Sequence, residues 1–423
     1  MPSLSSLGQR HALGRIPLPV APRGEWRATR RFDRGFWLIA STFVTAMAFS
    51  TVPTPLYSLY QARDGFSTFV VTIVFAVYAL GVLTSLLLAG HVSDWLGRKK
   101  VLIAALLLEV VAAVLFLAAP ALPVLIVARF VTGLGVGMLT ATATAHLHEL
   151  HSAHRRDASP QRFEVVSTAA NIGGLGLGPL VAGAIAQILG APLRLPYLVF
   201  GVLLLAGIAA VIAAPETVEK SAVRPAYRPQ WISTDHGDPA GYVAAAASGF
   251  AAFAVFGLFT SLAPAFVTGT LHLPSLVLSG AVVFAVFGAA ATAQTLTSRL
   301  DVRARGVVGL FAQGTGVTAL VIGMWIVDFP VFLLGGMAAG AGAGVLFKSA
   351  VGAVAGMARP GKRGEALASL FLVSYLGLTV PIIGVGIATR YTTVTIAVTW
   401  FAGIVLALLV VVARRVAVMG HSD

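Results

Sequence analysis

The chain has 423 residues, of which 57% are hydrophobic and 11% are charged, and its formal net charge is +13. A mean hydropathy of +0.89 excludes an ordinary soluble protein of this length, because too few polar residues are available to cover its core. The absence of cysteine excludes disulfide bonds and thiolate metal sites. The first 35 residues contain seven arginines and no apolar run, so we expect no cleaved export signal.

Apolar runs long enough to cross a bilayer recur from end to end, since roughly 20 residues span its hydrocarbon core. Between a basic tail (1–35) and a short tail (413–423) we predict twelve spans, at 36–60, 69–92, 101–119, 122–147, 165–189, 196–214, 241–267, 275–296, 306–327, 330–352, 366–388 and 394–412. The polar stretch 215–240 is rich in proline and charge and predicts an exposed linker. The prediction is an all-α membrane protein with six-helix bundles at 36–214 and 241–412.

The basic residues follow this topology. With the N-terminus inside, 25 of the 29 lysines and arginines fall in the tails, loops and span ends of one side, and three fall in loops of the other. Such an excess marks the cytoplasmic side of a membrane protein. We therefore expect a multi-pass protein of the bacterial cell membrane, in contact with the lipid bilayer and with both termini cytoplasmic. Membrane topology then explains the positive charge, and we expect no nucleic acid partner.

The two halves repeat at nearly constant offsets. SDWLGRKK (93–100) has a partner in SRLDVRAR (298–305), 205 residues later. GLGVG (133–137) corresponds to GAGAG (340–344), and Pro55 to Pro264, at offsets of 207 and 209. Two parallel repeats with a pocket between them are an arrangement typical of transporters, which work by rocking one half against the other.

Three motifs carry a family resemblance. The loop after span two has the pattern G-x-x-x-D-x-x-G-R-K, span four has R-x-x-x-G-x-G-x-G, and span five has G-x-x-x-G-P-x-x-x-G. Their residues are Gly90, Asp94, Gly97, Arg98 and Lys99; Arg129, Gly133, Gly135 and Gly137; and Gly174, Gly178, Pro179 and Gly183. The chain resembles the major facilitator superfamily over essentially its whole length, and the third motif resembles that of the drug–proton antiporters. One departure is Trp95, which stands where the family usually has a basic residue.

The loop motif is interpreted as a latch between the halves. Asp94 would meet the start of span eleven near Ala366, where the helix dipole favours an anion. Arg98 can reach Asp94 or Glu149, and Gly97 permits the tight turn. The alternative is plain positive charge on the inner side, which suits Lys99 and Lys100 but leaves Asp94 unexplained.

The span-five motif is interpreted as a pliable, proton-tight contact between the halves. Gly174 and Gly178 share one helix face and let a neighbouring helix approach closely, while Pro179 removes a backbone hydrogen bond. Close packing without a role in transport is the alternative.

Two ionisable residues are predicted deep in the first bundle, Glu109 in span three and Arg129 in span four. Charges inside a membrane are costly and are usually functional or paired. The resemblance implies a part in proton coupling for Arg129. Related antiporters often carry an acid in span one, which is absent here, so Glu109 becomes the expected proton carrier by elimination. A purely structural Glu109–Arg129 pair is the alternative.

Two further patterns are misleading. GAGAGVLFKS (340–349) resembles a phosphate-binding loop, but it lacks the glycine before Lys348 and lies inside a span. HLHELH (146–151) resembles a zinc-protease helix, but its spacing is one residue too short. We expect no cofactor and no metal.

The cavity should be lined by spans one, four, seven and ten if the resemblance holds. Its polar and aromatic residues would be Thr45, Ser50, Thr54, Tyr57, Phe253, Phe256, Phe259 and Thr260. A pocket with hydroxyls and aromatic rings but no charge suits a neutral or lipophilic small molecule. We therefore expect a monomeric transporter, not an enzyme, that exports such a substrate in exchange for protons. The alternatives are uptake of a sugar or organic acid, and a receptor that does not transport.

Overall fold

The computed structural model describes residues 23–89, 92–118, 121–154, 161–218, 227, 238–359 and 362–419. All regular secondary structure in these ranges is helical. Twelve helical segments in the described part of the chain are long and apolar enough to cross a membrane. The predicted all-α architecture and the twelve spans are therefore confirmed.

The twelve segments follow the predicted order. They are α1 (Arg23–Thr51, continued by Pro53–Asp64), α2 (Thr68–Ala89), α3 (Arg98–Ala118), α4 (Leu122–His154), α5 (Gln161–Ile188), α6 (Leu195–Ala213), α7 (Pro239–Ser261), α8 (Leu276–Leu296), α9 (Val302–Trp325), α10 (Phe329–Met357), α11 (Arg363–Ala388) and α12 (Val394–Met419). Short helices are added at Ser93–Leu96, Ala263–Ala265 and Thr297–Arg299.

Two apolar cores divide these helices into two bundles. The first core is built only from residues of α1–α6 and the segment just after α6. The second core is built from α7–α12 and the segment between α7 and α8, together with Phe75 and Ala79 of α2. We call α1–α6 the first bundle and α7–α12 the second bundle. Their most extensive contacts are between α2 and α11 and between α5 and α8.

The first helix of each bundle is interrupted at a proline. α1 breaks at Val52, before Pro53, and α7 ends at Ser261, before the short helix Ala263–Ala265 that contains Pro264. Proline cannot donate a backbone hydrogen bond, so a regular helix cannot run through these positions undisturbed. A π-helical turn, Phe266–Thr270, follows the second break. The two breaks lie at equivalent places in the repeat.

α5 contains a π-helical turn in its first half and a proline in its second half. A π-helical turn occupies Ala169–Gly173. Pro179 then leaves the carbonyl of Leu175 without its usual helical donor. The hydroxyl of Thr51 in α1 donates to that carbonyl at 2.9 Å. The proline is therefore tolerated because a neighbouring helix supplies the missing hydrogen bond.

The helices run alternately in opposite directions, so odd-numbered helices begin where even-numbered helices end. Ion pairs between helices are found at this end, for example between Arg98 at the start of α3 and Glu149 near the end of α4. We call it the arginine-rich end, after Arg98, Arg162, Arg303 and Arg363 at the starts of α3, α5, α9 and α11. The other end is called the opposite end.

Candidate functional site

The α5–α8 contact between the bundles is made by glycines and the facing backbone. A Cβ atom at Gly183 of α5 would clash with the carbonyl oxygen of Leu276 in α8. A Cβ atom at Gly280 of α8 would clash with the carbonyl oxygen of Pro179 in α5. Only glycine allows the two helices to approach this closely. The bundles therefore touch backbone to backbone along this seam.

Two further contacts close the opposite end. The side-chain oxygen of Gln187 in α5 accepts hydrogen bonds from the Ser275 hydroxyl at 2.9 Å and from the Val277 amide at 3.0 Å, at the start of α8. In the α2–α11 pair, a Cβ atom at Gly386 would clash with the hydroxyl of Thr72. Both helix pairs are thus in intimate contact where α5 and α11 end.

The span-five motif divides between two partners. A Cβ atom at Gly178 would lie 2.5 Å from the Thr51 hydroxyl, and one at Gly174 would lie 2.8 Å from the Cβ of Met47, so both glycines pack against α1. The interpretation of these two glycines as a contact between the halves is wrong, because α1 belongs to the same bundle. Gly183 lies five residues beyond Gly178, about 140° further around the helix, and is the motif glycine that reaches the second bundle.

At the arginine-rich end, Arg98 is held from three sides. Its guanidinium donates to Asp94 at 2.5 Å, to the Ser93 hydroxyl at 2.7 Å and to Glu149 at 2.7 Å. The hydroxyl of Thr217 also bonds Glu149. Sequence reasoning offers Asp94 and Glu149 as alternative partners, whereas the structure gives Arg98 both. Charge-assisted bonds of this kind fix the turn between α2 and α3 to the end of α4.

The segment after α6 completes this network, and sequence reasoning missed it. The carboxylate of Glu216 accepts hydrogen bonds from the backbone amides of Arg98 and Lys99, each at 3.1 Å, and so caps the start of α3. Gly97 precedes these amides with a φ of 102°, which strongly favours glycine. The ammonium of Lys99 donates to the carbonyl of Ile212 at 2.6 Å, at the end of α6. The available sequence signal was Glu216 followed by Thr217, just after the apolar span that ends at residue 214.

All of these contacts lie within the first bundle and the segment that follows it. The side chain of Asp94 is 65% exposed, and its one described bond goes to Arg98. The first residue of the loop motif, Gly90, lies outside the described residues. In this conformation the network braces the first bundle, and a latch to α11 remains a prediction for another conformation.

Replacing Asp94 by asparagine tests that prediction. The variant is expected to keep its thermal stability, because Glu149 and Ser93 still hold Arg98 and an exposed ion pair contributes little. Transport is expected to slow several-fold, because the anion facing the start of α11 is lost. Flux in proteoliposomes at equal protein content is the measurement. Wild-type flux in the variant would contradict the latch.

Glu109 and Arg129 are both buried but do not pair. One guanidinium nitrogen of Arg129 donates to the carbonyl of Ser50 at 2.6 Å, and the group lies 4.3 Å from the centre of the Tyr78 ring. Neither oxygen of Glu109 has a hydrogen-bond partner among the described residues. A Cβ atom at Gly135 would lie 2.9 Å from the Cγ of Glu109, so this side chain packs on α4.

The predicted Glu109–Arg129 pair is therefore absent in this conformation. Gly135 lies six residues beyond Arg129, which places it about 9 Å along α4 and about 240° around it. Arg129 consequently points toward α1 and α2, while Glu109 approaches a different face of α4. Tyr78 lies within electrostatic reach of both residues. Glu109 remains an unpartnered carboxyl group inside the first bundle, as far as the described residues show.

Most of the predicted cavity residues are buried in helix contacts. Ser50, Thr54, Tyr57, Phe256, Phe259 and Thr260 are all at most 7% exposed. Thr45 and Phe253 keep partial exposure. Around Phe253 the structure groups further half-exposed rings, which we call the aromatic cluster, formed by Phe253, Phe347, Phe371 and Tyr375. Tyr375 packs against the cores of both bundles, so the cluster reaches the interface between them.

The family assignment follows from a sequence comparison. The family described as "Major Facilitator Superfamily" matches residues 38–333, which is more than half of the chain. The chain belongs to the Major Facilitator Superfamily.

Similarity to individual members of the superfamily is partial. An uncharacterized MFS-type transporter and a multidrug resistance protein B homolog, both from Mycobacterium tuberculosis, are each 29% identical to the chain. These matches cover 40% and 41% of this chain but only 27% and 33% of the relatives' own lengths. A D-xylose-proton symporter-like protein of Arabidopsis thaliana is 31% identical over 24% of this chain and 20% of its own length.

Solved structures of the superfamily share the fold over nearly the whole chain. The human organic anion transporter MFSD10 superimposes with a TM-score of 0.63 and 17% identity, covering 92% of this chain and all of that one. The nucleoside transporter NupG, solved as a point mutant, gives a TM-score of 0.67 with 12% identity, covering 90% of this chain and 99% of that one. At these identities the likeness shows the fold alone.

Among the described residues of this superfamily member, one ion pair joins the two bundles, and sequence reasoning missed it. The prediction counts Lys348 among the inner basic residues near the end of span ten, and the structure places it nine residues before the end of α10. Its ammonium is 3.3 Å from the carboxylate of Glu164 in α5 and 3.3 Å from the carbonyl of Gln294 in α8. The sequence predicts a cavity without charged residues. Lys348 corrects this prediction, because its ammonium lies between α5 and α8 at the interface of the bundles.

Proposed function

We propose that the chain is a secondary active transporter that exports a small, neutral or lipophilic solute in exchange for protons. It would work by alternating access, with the bundles rocking about a solute held between them. The substrate site would lie beside the aromatic cluster, because half-exposed aromatic rings with few polar groups suit such a solute.

The observation that carries this proposal is the contrast between the two ends of the interface. At the opposite end the bundles meet through glycine backbones on α5 and α8 and at Gly386 of α11. At the arginine-rich end the described contact between charged groups of different bundles is the Glu164–Lys348 pair. Contacts of such different kinds can form and break independently, as alternating access requires.

Glu109 is the proposed proton carrier. It is fully buried in the first bundle, and its carboxyl group lacks a hydrogen-bond partner among the described residues. A buried carboxylate without a cation is unfavourable, whereas a nearby guanidinium favours it. A rearrangement of α3 against α4 that accompanies the rocking, and that changes the distance from Glu109 to Arg129, would therefore change the tendency of Glu109 to hold a proton.

The arginine-rich end is proposed to face the cytoplasm, because 25 of the 29 lysines and arginines lie in the predicted inner tails, loops and span ends. Both termini would then be cytoplasmic, in the membrane of a bacterial cell. We propose that the monomer is the working unit, since the substrate site lies between two bundles of one chain.

Proton-driven uptake of a sugar or organic acid is the second candidate. The similarity to a D-xylose-proton symporter-like protein favours it, and the similarity to a multidrug resistance protein B homolog favours export. A receptor on the same scaffold, which would bind without flux, is a third possibility from another class.

A flux experiment separates these functions. The purified protein is reconstituted in liposomes and tested with a panel of lipophilic compounds, sugars and organic acids, with and without an imposed pH gradient. Export driven by an opposing proton gradient is the expected result for a lipophilic compound. Sugar accumulation along the proton gradient would favour the second candidate, and binding without flux would favour the receptor.

A further inference from the structure

Lys348 and the aromatic cluster lie together on α10. Lys348 directly follows Phe347, and the ring of Phe347 lies 4.8 Å from that of Phe253 and 5.6 Å from that of Phe371. Consecutive helical residues point about 100° apart, so the Phe347 ring faces α7 and α11 while the Lys348 ammonium faces α5 and α8. An apolar surface and a cation are thus presented on adjoining faces of α10.

The ammonium of Lys348 is loosely held. Its side chain is 23% exposed, and both contacts, to Glu164 and to the Gln294 carbonyl, measure 3.3 Å. Charge-assisted bonds between an ammonium and a carboxylate are usually nearer to about 2.7–2.9 Å. An ammonium has three donors, so a ligand carboxylate could add to these contacts or replace that of Glu164.

The counterion of Lys348 comes from the other bundle. Glu164 is on α5 and Lys348 on α10, so a rocking motion that separates these helices breaks the pair. A half-buried ammonium inside a membrane helix is then left without an anion, which is unfavourable. An anion that travels with the substrate would remove that cost in the separated state.

We propose that Lys348 is a specificity-determining residue, and that among lipophilic solutes the preferred substrates are aromatic molecules that carry a carboxylate. The carboxylate would take the place of Glu164 beside Lys348, and the aromatic ring would pack on Phe253 and Phe347. Ring packing adds to affinity for any aromatic solute, whereas Lys348 selects the charge. This proposal rests on the proposed transport function, because it names the substrate class of the same site.

Three ligands of one shape test the proposal. They are 2-naphthoate, 2-naphthamide and 2-naphthylmethylammonium, which share a ring system but differ in charge. Binding to the full chain in lipid nanodiscs is measured by calorimetry. We expect naphthoate to bind about tenfold more tightly than the amide, which corresponds to one hydrogen bond between charged groups. The ammonium ligand should bind most weakly.

Variants separate charge recognition from structure. Lys348→Gln should weaken naphthoate binding about tenfold and leave the amide unchanged, while Lys348→Arg should keep the preference. Glu164→Gln should strengthen naphthoate binding, because the competing carboxylate is gone. Lys362→Gln serves as the matched control, since Lys362 pairs with Glu365 on an exposed turn of its own helix. Thermal unfolding of each variant verifies that it is folded.

Several outcomes would overturn the proposal. These are the absence of binding by any naphthyl ligand, equal affinity for naphthoate and the amide, a preference that survives Lys348→Gln, or weaker naphthoate binding in Glu164→Gln. Failure of the proposed function is distinguishable. Charge-selective binding without flux contradicts transport alone, whereas proton-driven flux of solutes without charge selectivity contradicts only this inference.

Discussion

Replacing Glu109 by glutamine is expected to abolish proton-driven transport and to leave the fold intact. Glutamine has nearly the same shape but cannot bind and release a proton. The change breaks no ion pair, because Arg129 bonds the carbonyl of Ser50 and not Glu109. Since neither oxygen of Glu109 has a described hydrogen-bond partner, thermal stability should change little. Solute accumulation against a gradient should fall to that of protein-free liposomes.

Two measurements are needed for this variant, flux under a pH gradient and proton release on substrate binding to the purified protein. Glu365→Gln is the matched control, because Glu365 is a helix-end carboxylate paired with Lys362, and it should transport normally. Proton release that persists in a stable Glu109→Gln protein would show that another group carries the proton. A large loss of thermal stability would instead support a structural role for Glu109.

Replacing Gly280 by alanine is expected to stop transport by preventing closure of the opposite end. The new methyl group would clash with the carbonyl oxygen of Pro179 and lie 2.6 Å from its carbonyl carbon. These are backbone atoms, so no side chain can move aside to relieve the overlap. The α5–α8 seam must widen, and the conformation described here should become rare.

The matched control lies on the same helix. Gly288 of α8 has no atom within 4 Å of its would-be Cβ, so alanine there should preserve transport and stabilise the helix by up to about 1 kcal/mol. The chain has no cysteine, so Thr72→Cys can act as a single reporter on the α2–α11 contact. Faster labelling of this cysteine by a maleimide is expected with Gly280→Ala. Normal flux with a protected cysteine would contradict a closing role for this seam.

Hydropathy and proline positions predict the fold, but not how each helix is rotated. Apolar runs fix where α1–α12 lie because the bilayer thickness fixes their length. The sequence does not show which face of α5 packs against which neighbouring helix. The motif alone therefore predicts that Gly174 and Gly178 contact the other bundle, whereas they pack against α1. Span ends place Glu109 and Arg129 at similar depth. Depth does not reveal that Glu109 of α3 packs on the face of α4 that carries Gly135, whereas Arg129 extends from a different face of α4.

The residues that sequence reasoning missed share a physical cause. Glu216 lies in a segment that reads as linker, and its role arises from the two amides of α3 that it meets in space. Lys348 reads as one more positive charge near the inner surface, and its partner Glu164 is 184 residues away in sequence. Contacts between distant segments leave no periodic pattern in the chain, so only the three-dimensional arrangement reveals them.

The glycine seams and the Glu164–Lys348 pair differ in their response to dissolved ions. Backbone packing at Gly183 and Gly280 involves no net charge, so added electrolyte leaves it unchanged. The Glu164 side chain is 43% exposed, and attraction between partly exposed charges is screened over about 8 Å at physiological ionic strength. Salt at the arginine-rich end therefore weakens the Glu164–Lys348 pair and leaves the glycine contacts at the opposite end unchanged. Under the proposed alternating access, the balance between the two accessible states then depends on the ionic strength of the compartment that the arginine-rich end faces.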